Sequence, residues 1–109
     1  METKTTQVPA NAVTEIAIYK VDQNRIPEFL KTAEKMHAEL ETVPGFISIE
    51  TRPSVDGAGV FMDICVWETK AAALQAMEKF PTFQNAPAFL SFFEGDPIYM
   101  GHFAAAVRE

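Results

Sequence analysis

A single cysteine, Cys65, stands in the whole sequence. It can form no internal disulfide and no cysteine-based metal cluster. It sits in an apolar, strand-like run, where a free thiol behaves as a small buried hydrophobe. A reactive thiol would need exposure and a basic neighbour. Basic residues are also scarce: 9 Lys and Arg against 15 Asp and Glu leave a net charge of −6. No basic run occurs, which argues against nucleic acid, whose phosphates need clustered cations. The same balance disfavours anionic membrane surfaces. No apolar run nears the roughly 20 residues that span a bilayer. Residues 1–11 lack the apolar stretch of a signal peptide. Together these absences predict a soluble, cytoplasmic protein. Only two histidines occur, His37 and His102. They fall on different predicted elements, so no metal site is expected. Phosphate loops, nucleotide fingerprints, nucleophile elbows and zinc motifs are missing too.

What is present describes one ordinary domain. The 109 residues are 48% hydrophobic and 22% charged, close to globular averages. Residues 1–12 read as a loose arm and 13–109 as the domain. The first predicted strand, 13–21, is apolar on both faces, with Ile16 and Ile18 on one and Ala17, Tyr19 and Val21 on the other. That marks a central strand. Asp22, Gln23 and Asn24 supply turn and cap chemistry, and Pro27 suits a first helical turn. A helix follows over 26–42, with Ile26, Phe29, Leu30, Ala33, Met36, His37 and Leu40 on one stripe. Pro44 and Gly45 stop it. The second strand, 46–52, alternates, with Ile47 and Ile49 on one face and Ser48, Glu50 and Arg52 on the other. Asp56-Gly57 reverses the chain. The third strand, 60–67, is apolar on both faces except at Asp63.

Thr69 is placed to cap a second helix reaching Phe80. Its apolar face is Ala73, Leu74, Met77 and Phe80. Pro81 breaks it, and Thr82 can cap a further helical segment that ends near Glu94. The last strand is 98–107. The order β-α-β-β-α-β is the split βαβ, ferredoxin-like pattern of an α+β fold. Right-handed crossovers put strands one and three in the middle of a four-stranded antiparallel sheet. Both helical regions then cover one face. The other face of strands one, three and four stays apolar, and an exposed patch of that size is rare on monomers. A homodimer that buries it is expected. The alternative is a monomer in which the third strand is merely core.

Three short segments carry a resemblance: Val43-Pro44-Gly45-Phe46 opening strand two, Val66-Trp67-Glu68-Thr69 closing strand three, and Leu74 through Phe83 in the second helix. In this order and spacing the chain resembles the antibiotic biosynthesis monooxygenase-like family of dimeric α+β barrels, over residues 13 to about 107. The resemblance implies two sheets packed face to face with helices outside. It also implies oxygen chemistry on aromatic, polyketide-like substrates without metal or flavin, so no cofactor is expected. Other members degrade or bind haem, or transform small molecules, and fold does not fix function. The chain departs from the pattern at Leu74-Gln75-Ala76, where Met77 follows instead of histidine. With no histidine between Thr69 and Pro97, a haem-degrading role is disfavoured. Met77 could ligate iron, but on an apolar face it reads as core filler.

His37 lies inside the apolar stripe, points toward the sheet and titrates near neutral pH, which suits a proton acceptor. It could equally pack at the stripe edge with one nitrogen on water or a carbonyl. Asp63 is either functional, with a pKa raised by desolvation, or paired with a neighbour such as Arg52. The Tyr19 hydroxyl needs a partner if buried. His37, Asp63 and Tyr19 are the candidate catalytic residues. Trp67 as a wall, with Met77, Phe80, Phe83 and His102, would contact the substrate. For each of these, plain packing is the competing role. Phe80, Phe83, Phe89, Phe92 and Phe93 form an aromatic cluster able to line a cavity for a flat ligand. The expected function is a cofactor-independent monooxygenase-like activity on a small apolar or aromatic molecule. The alternative is a dimeric binding or stress-response protein without catalysis.

Overall fold

The computed structural model describes residues 9–105. Most of the expected arm and the end of the expected last strand lie outside them. The elements are strand β1 (Val13–Lys20), helix α1 (Ile26–Leu40), strands β2 (Phe46–Pro53) and β3 (Val60–Trp67), helices α2 (Lys70–Lys79) and α3 (Ala86–Ser91), and strand β4 (Tyr99–Ala104). The sheet order is β2-β3-β1-β4 and every pairing is antiparallel. The ferredoxin-like arrangement predicted from the element order is therefore present.

Local chemistry explains the boundaries. The Asp22 carboxylate accepts the Asn24 amide at 3.0 Å, and Pro27 sits in the first turn of α1. Thr69 caps α2, its hydroxyl accepting the Ala72 amide at 3.1 Å. Helix α1 stops at Leu40, two residues short of expectation, because Thr42 and Val43 turn back onto Glu39 and Leu40. Gly45 takes φ +89°, and a Cβ there would lie 2.5 Å from that of Ala72. Only glycine permits this approach of the β2 entry to α2. Thr82 is not the cap it was expected to be. It lies in a 3-10 turn, Phe80–Thr82, and its hydroxyl donates to the Lys79 carbonyl. Helix α3 begins four residues later and ends at Ser91, since Phe93 leaves it to bridge Val21.

The register divides the sheet cleanly. Val13, Glu15, Ala17 and Tyr19 of β1 lie opposite Trp67, Cys65, Asp63 and Phe61 of β3. These residues share the face under the helices. Met100, His102 and Ala104 of β4 join them. Two clusters fill the space beneath the helices. Tyr19, Phe29, Met36, Phe61, Phe89 and Phe92 form one. Val43, Cys65, Trp67, Ala73 and Ala76 form the other. Helix α2 therefore buries its alanines. Leu74 and Met77, expected on its packed face, are 45% and 44% exposed.

Strand β2 carries a bulge between Phe46 and Ser48. It lets Phe46, which packs on Trp67, and Ile49 and Thr51 all share the helix side although their spacing is odd. Ile47 has no register partner. Ser48, Glu50 and Arg52 pair with Val66, Ile64 and Met62 on the open face. There the Arg52 Nε donates to Glu50 at 3.0 Å.

Candidate functional site

The helix side of the sheet does not pack fully. A cavity of about 280 Å³ lies between it and the helices, and most of its lining is apolar. The sheet provides its polar floor from Glu15, Tyr19 and Asp63. Helix α1 adds Met36, His37 and Leu40. The chain beyond it adds Met77, Phe80, Phe89, Leu90, Phe93 and Met100. The half-exposed Met77, Leu90 and Met100 place apolar side chains at the solvent edge.

Four side chains form a hydrogen-bonded string on this floor. The Tyr19 hydroxyl donates to Asp63 Oδ1 at 2.7 Å. The Thr51 hydroxyl donates to the same oxygen at 2.8 Å. His37 Nε2 lies 3.1 Å from Thr51 Oγ1. A hydroxyl carries one proton, and that of Thr51 is committed to Asp63, so Nε2 of His37 must be the donor in the third bond. Asp63 Oδ2 takes part in none of these bonds.

Burial pushes the Asp63 carboxyl above its usual range, while the two hydroxyls and the His37 charge pull against that rise. Burial and the nearby Asp63 charge push the Tyr19 phenol far upward, so it stays a protonated donor at any physiological pH. Glu15 forms a second polar point. Its Oε1 accepts the Trp67 indole N–H at 3.1 Å, and burial raises its carboxyl. Cys65, between the two carboxyls in the sheet, is pushed up to about 12 by burial and by their charges. That describes a protonated, unreactive thiol.

The candidate residues thus separate. Tyr19, His37, Asp63, Met77 and Phe80 meet at the cavity. Trp67 is wholly buried and lies behind the lining, holding Glu15 instead of forming a wall. Phe83 packs on Phe80 at 6.0 Å without lining the cavity. His102 faces the helix side opposite Glu15, outside the lining, and its Nε2 is buried without a hydrogen-bond partner among the described residues. Arg52, the expected partner of Asp63, faces the other way. Thr51 and Glu15 are the contributors not anticipated. Glu15 shares the strand phase of Tyr19, so period-two reading finds it. Thr51 shares the phase of Ile49 and lies opposite Asp63, so the same alternation finds it. No group of three or more His, Cys, Asp or Glu side chains able to hold a metal ion occurs among the described residues.

A four-stranded antiparallel sheet with helices on one face and a cavity between the layers defines a ferredoxin-like α+β protein. More narrowly, the family model for antibiotic biosynthesis monooxygenase matches residues 12–94, and the chain belongs to that family. Solved structures agree in fold. SnoaB, a cofactor-independent oxygenase from Streptomyces nogalater, aligns at TM-score 0.75 and 21% identity, over 91% of this chain and 97% of that one. A Bordetella bronchiseptica protein, provisionally named an antibiotic biosynthesis monooxygenase, aligns at 0.77 and 16%, over 89% and 99%. A conserved protein from Methanosarcina mazei Go1 aligns at 0.73 and 11%, over 89% and 95%. At these identities the likeness carries the fold alone. A search of curated protein sequences finds no match.

Proposed function

We propose that this chain is a cofactor-independent monooxygenase-like enzyme acting on a small apolar or aromatic substrate held between sheet and helices. The observation that carries the reading is the string His37–Thr51–Asp63–Tyr19, set on the floor of a mostly apolar cavity. A raised carboxylate with one oxygen fixed by two hydroxyls and the other uncommitted is suited to accept a proton. Asp63 Oδ2 takes the proton of an activated C–H on the substrate. Tyr19 and Thr51 stabilise the carboxylate through Oδ1, and His37 orients Thr51. The carbanion adds dioxygen to give a peroxide anion. Protonation from Asp63 and loss of water leave a ketone, so one oxygen atom enters the product and the other leaves as water. The apolar walls exclude bulk water from the carbanion. The oxygenase SnoaB supports this reading by fold and family.

Oxygen uptake with anthrone-like or quinol-like substrates tests it. Wild type is expected to exceed background, with His37→Ala and Asp63→Asn falling tenfold or more. Wild type and His37→Ala consuming oxygen at the same background rate would overturn it. Thermal stabilisation by such ligands without turnover would favour the binding-protein alternative.

The working unit of this reading is a homodimer. The open face presents Ile16, Ile18, Met62, Ile64 and Val66, with Tyr99 and Phe103 45% and 48% exposed. A second copy laid on this face removes it from water. Sedimentation at micromolar concentration is expected to give twice the chain mass, and a stable single subunit would refute the pairing. No helix among the described residues is long and apolar enough to cross a membrane, which is compatible with the cytoplasmic placement proposed here.

A further inference from the structure

We propose that the cavity selects its ligand by hydrogen-bond donors: the Glu15 carboxylate, held by the Trp67 indole, accepts an O–H or N–H group that an aromatic substrate presents. The proposal rests on the proposed function and names the group by which that substrate is held.

The donors of the floor are already engaged. The Tyr19 and Thr51 hydroxyls donate to Asp63 Oδ1, His37 Nε2 donates to Thr51, and the Trp67 indole donates to Glu15 Oε1. In a neutral imidazole the second nitrogen of His37, Nδ1, is an acceptor. The Cys65 thiol is the donor left over, and a weak one. No Lys or Arg lines the cavity, and neither ion pair among the described residues involves Glu15 or Asp63. The uncommitted carboxyl oxygens are Oε2 of Glu15 and Oδ2 of Asp63. Neither is sealed in, because the one buried side-chain nitrogen or oxygen without a partner among the described residues is His102 Nε2. Both oxygens keep accessible surface on residues that line the cavity.

The neighbours of Glu15 keep it an acceptor. The indole N–H of β3 sits 3.1 Å from Oε1, and His102 of β4 lies directly opposite in the register. Burial pushes the carboxyl up, the indole and His102 pull it down, and the Asp63 charge adds a last, smaller push. Above that raised value Glu15 is an anion. Asp63 Oδ2 is reserved for the substrate's C–H proton in the proposed reaction, which leaves Glu15 Oε2 for binding. Tyr19, Phe80, Phe89 and Phe93 line the same space and suit a flat ring body.

A ligand with an O–H or N–H donor on such a body fits this floor. A ketone brings acceptor lone pairs to acceptors, and both sides stay unpaired. A carboxylate adds a third negative charge with no cation beside it. Quinol-like substrates are therefore expected to serve better than anthrone-like ones. When the donor is a phenolic hydroxyl its hydrogen stays on the ligand. The bond draws that hydrogen toward Oε2, and the density left on the phenol oxygen enriches the ring, which favours its reaction with dioxygen.

Equilibrium dialysis with 2-naphthol and 2-acetylnaphthalene, the same rings carrying a donor or an acceptor, tests this at about pH 8, where carboxyls are ionised and a phenol keeps its hydrogen. Wild type is expected to prefer the naphthol at least tenfold, the size of one hydrogen bond to a charged group. Adding 2-naphthylmethylamine separates the two kinds of donor: tighter binding than naphthol assigns an ammonium ligand, weaker binding a hydroxyl. In Glu15→Gln the carboxamide oxygen stays on the indole and its N–H turns to the cavity, so the ratio should move toward the ketone tenfold or more. Glu15→Ala should abolish the preference. The proposal is overturned if wild type binds the ketone as tightly as both donors, or if either variant keeps the wild-type ratio. Either variant suffices should the other not fold. Equal binding of all the probes by wild type would leave the cavity reading standing, whereas failure to bind any of them would remove both.

Discussion

Replacing Tyr19 with phenylalanine isolates one bond of the polar string. The ring is held by its neighbours: Phe93 stacks at 4.5 Å and 8°, and Phe29 and Phe89 meet it edge-on at 5.9 and 6.0 Å. Phenylalanine keeps those contacts and opens no cavity. What disappears is the 2.7 Å bond to Asp63. A hydrogen bond to a charged group contributes about 1.5–3 kcal/mol. Thr51 still serves the same oxygen, so a loss of about 2 kcal/mol is expected, or roughly 10 °C in melting temperature for a chain this size. The loss should depend on pH. Burial holds Asp63 above its usual range, and the phenol partly restrains the rise. Without the phenol Asp63 rises further. Well below the usual carboxylate range Asp63 is protonated in folded and unfolded chains alike, and the variant's deficit shrinks to that of a neutral bond. As pH climbs through the raised value, the folded variant ionises a less stabilised carboxyl and the deficit reaches its full size. Urea unfolding of both proteins at equal concentration, at about pH 3 and about pH 8, measures both limits. A deficit under about 0.5 kcal/mol at the higher pH, which is ordinary surface noise, or one that is the same at both, would refute the role given to this bond.

Glu39 ties α1 to the start of α3. Its carboxylate accepts the Gln84 and Asn85 amides at 2.7 and 2.9 Å and the Asn85 side chain at 2.6 Å. Slight desolvation pushes its pKa up, but these bonds outweigh that and lower it. Glu39→Ala should cost about 1 kcal/mol after allowance for solvent screening. The cost should be full above the ordinary carboxylate range and fade as pH falls through the lowered value; pH-dependent melting checks this. Cys65 is expected to resist iodoacetamide in the native state at mildly alkaline pH and to react in urea, as mass spectrometry would show; native labelling would contradict its burial. Gly45→Ala should destabilise by about 1–3 kcal/mol through its positive φ and the contact with Ala72, and a neutral result in chemical denaturation would show that the β2 entry yields easily.

The elements that were legible in advance have strong periodic signals. Helix α1 has a clean stripe, and the two faces of β1 and β3 are apolar, so their central position followed. His37 lies inside that stripe and turns toward the sheet, where it meets Thr51. The failures have local causes. The apolar residues of helix α2 do not show in advance which of them pack deepest: Ala73 and Ala76 are buried against the sheet, and Leu74 and Met77 stay half exposed. Alternation alone does not give the depth of Trp67, because that depends on Val43, Phe46 and Ala73, which pack around it from three other segments. Thr82 has cap chemistry, but Pro81 placed it within a 3-10 turn. Strand phase puts Arg52 opposite Met62 on the open face, out of reach of Asp63, whose partner is Thr51.

The extra residue in β2 links two features that otherwise have nothing in common. Phe46 reaches Trp67, and five residues later Thr51 reaches Asp63, which an unbroken two-residue alternation forbids. Shortening the strand by Ile47 would force a choice between them: the aromatic would quit the indole, or the hydroxyl would desert the carboxylate. One misplaced codon there would therefore sever either the packing that steadies Glu15 or the relay that reaches His37, with no chemical group of the site itself altered.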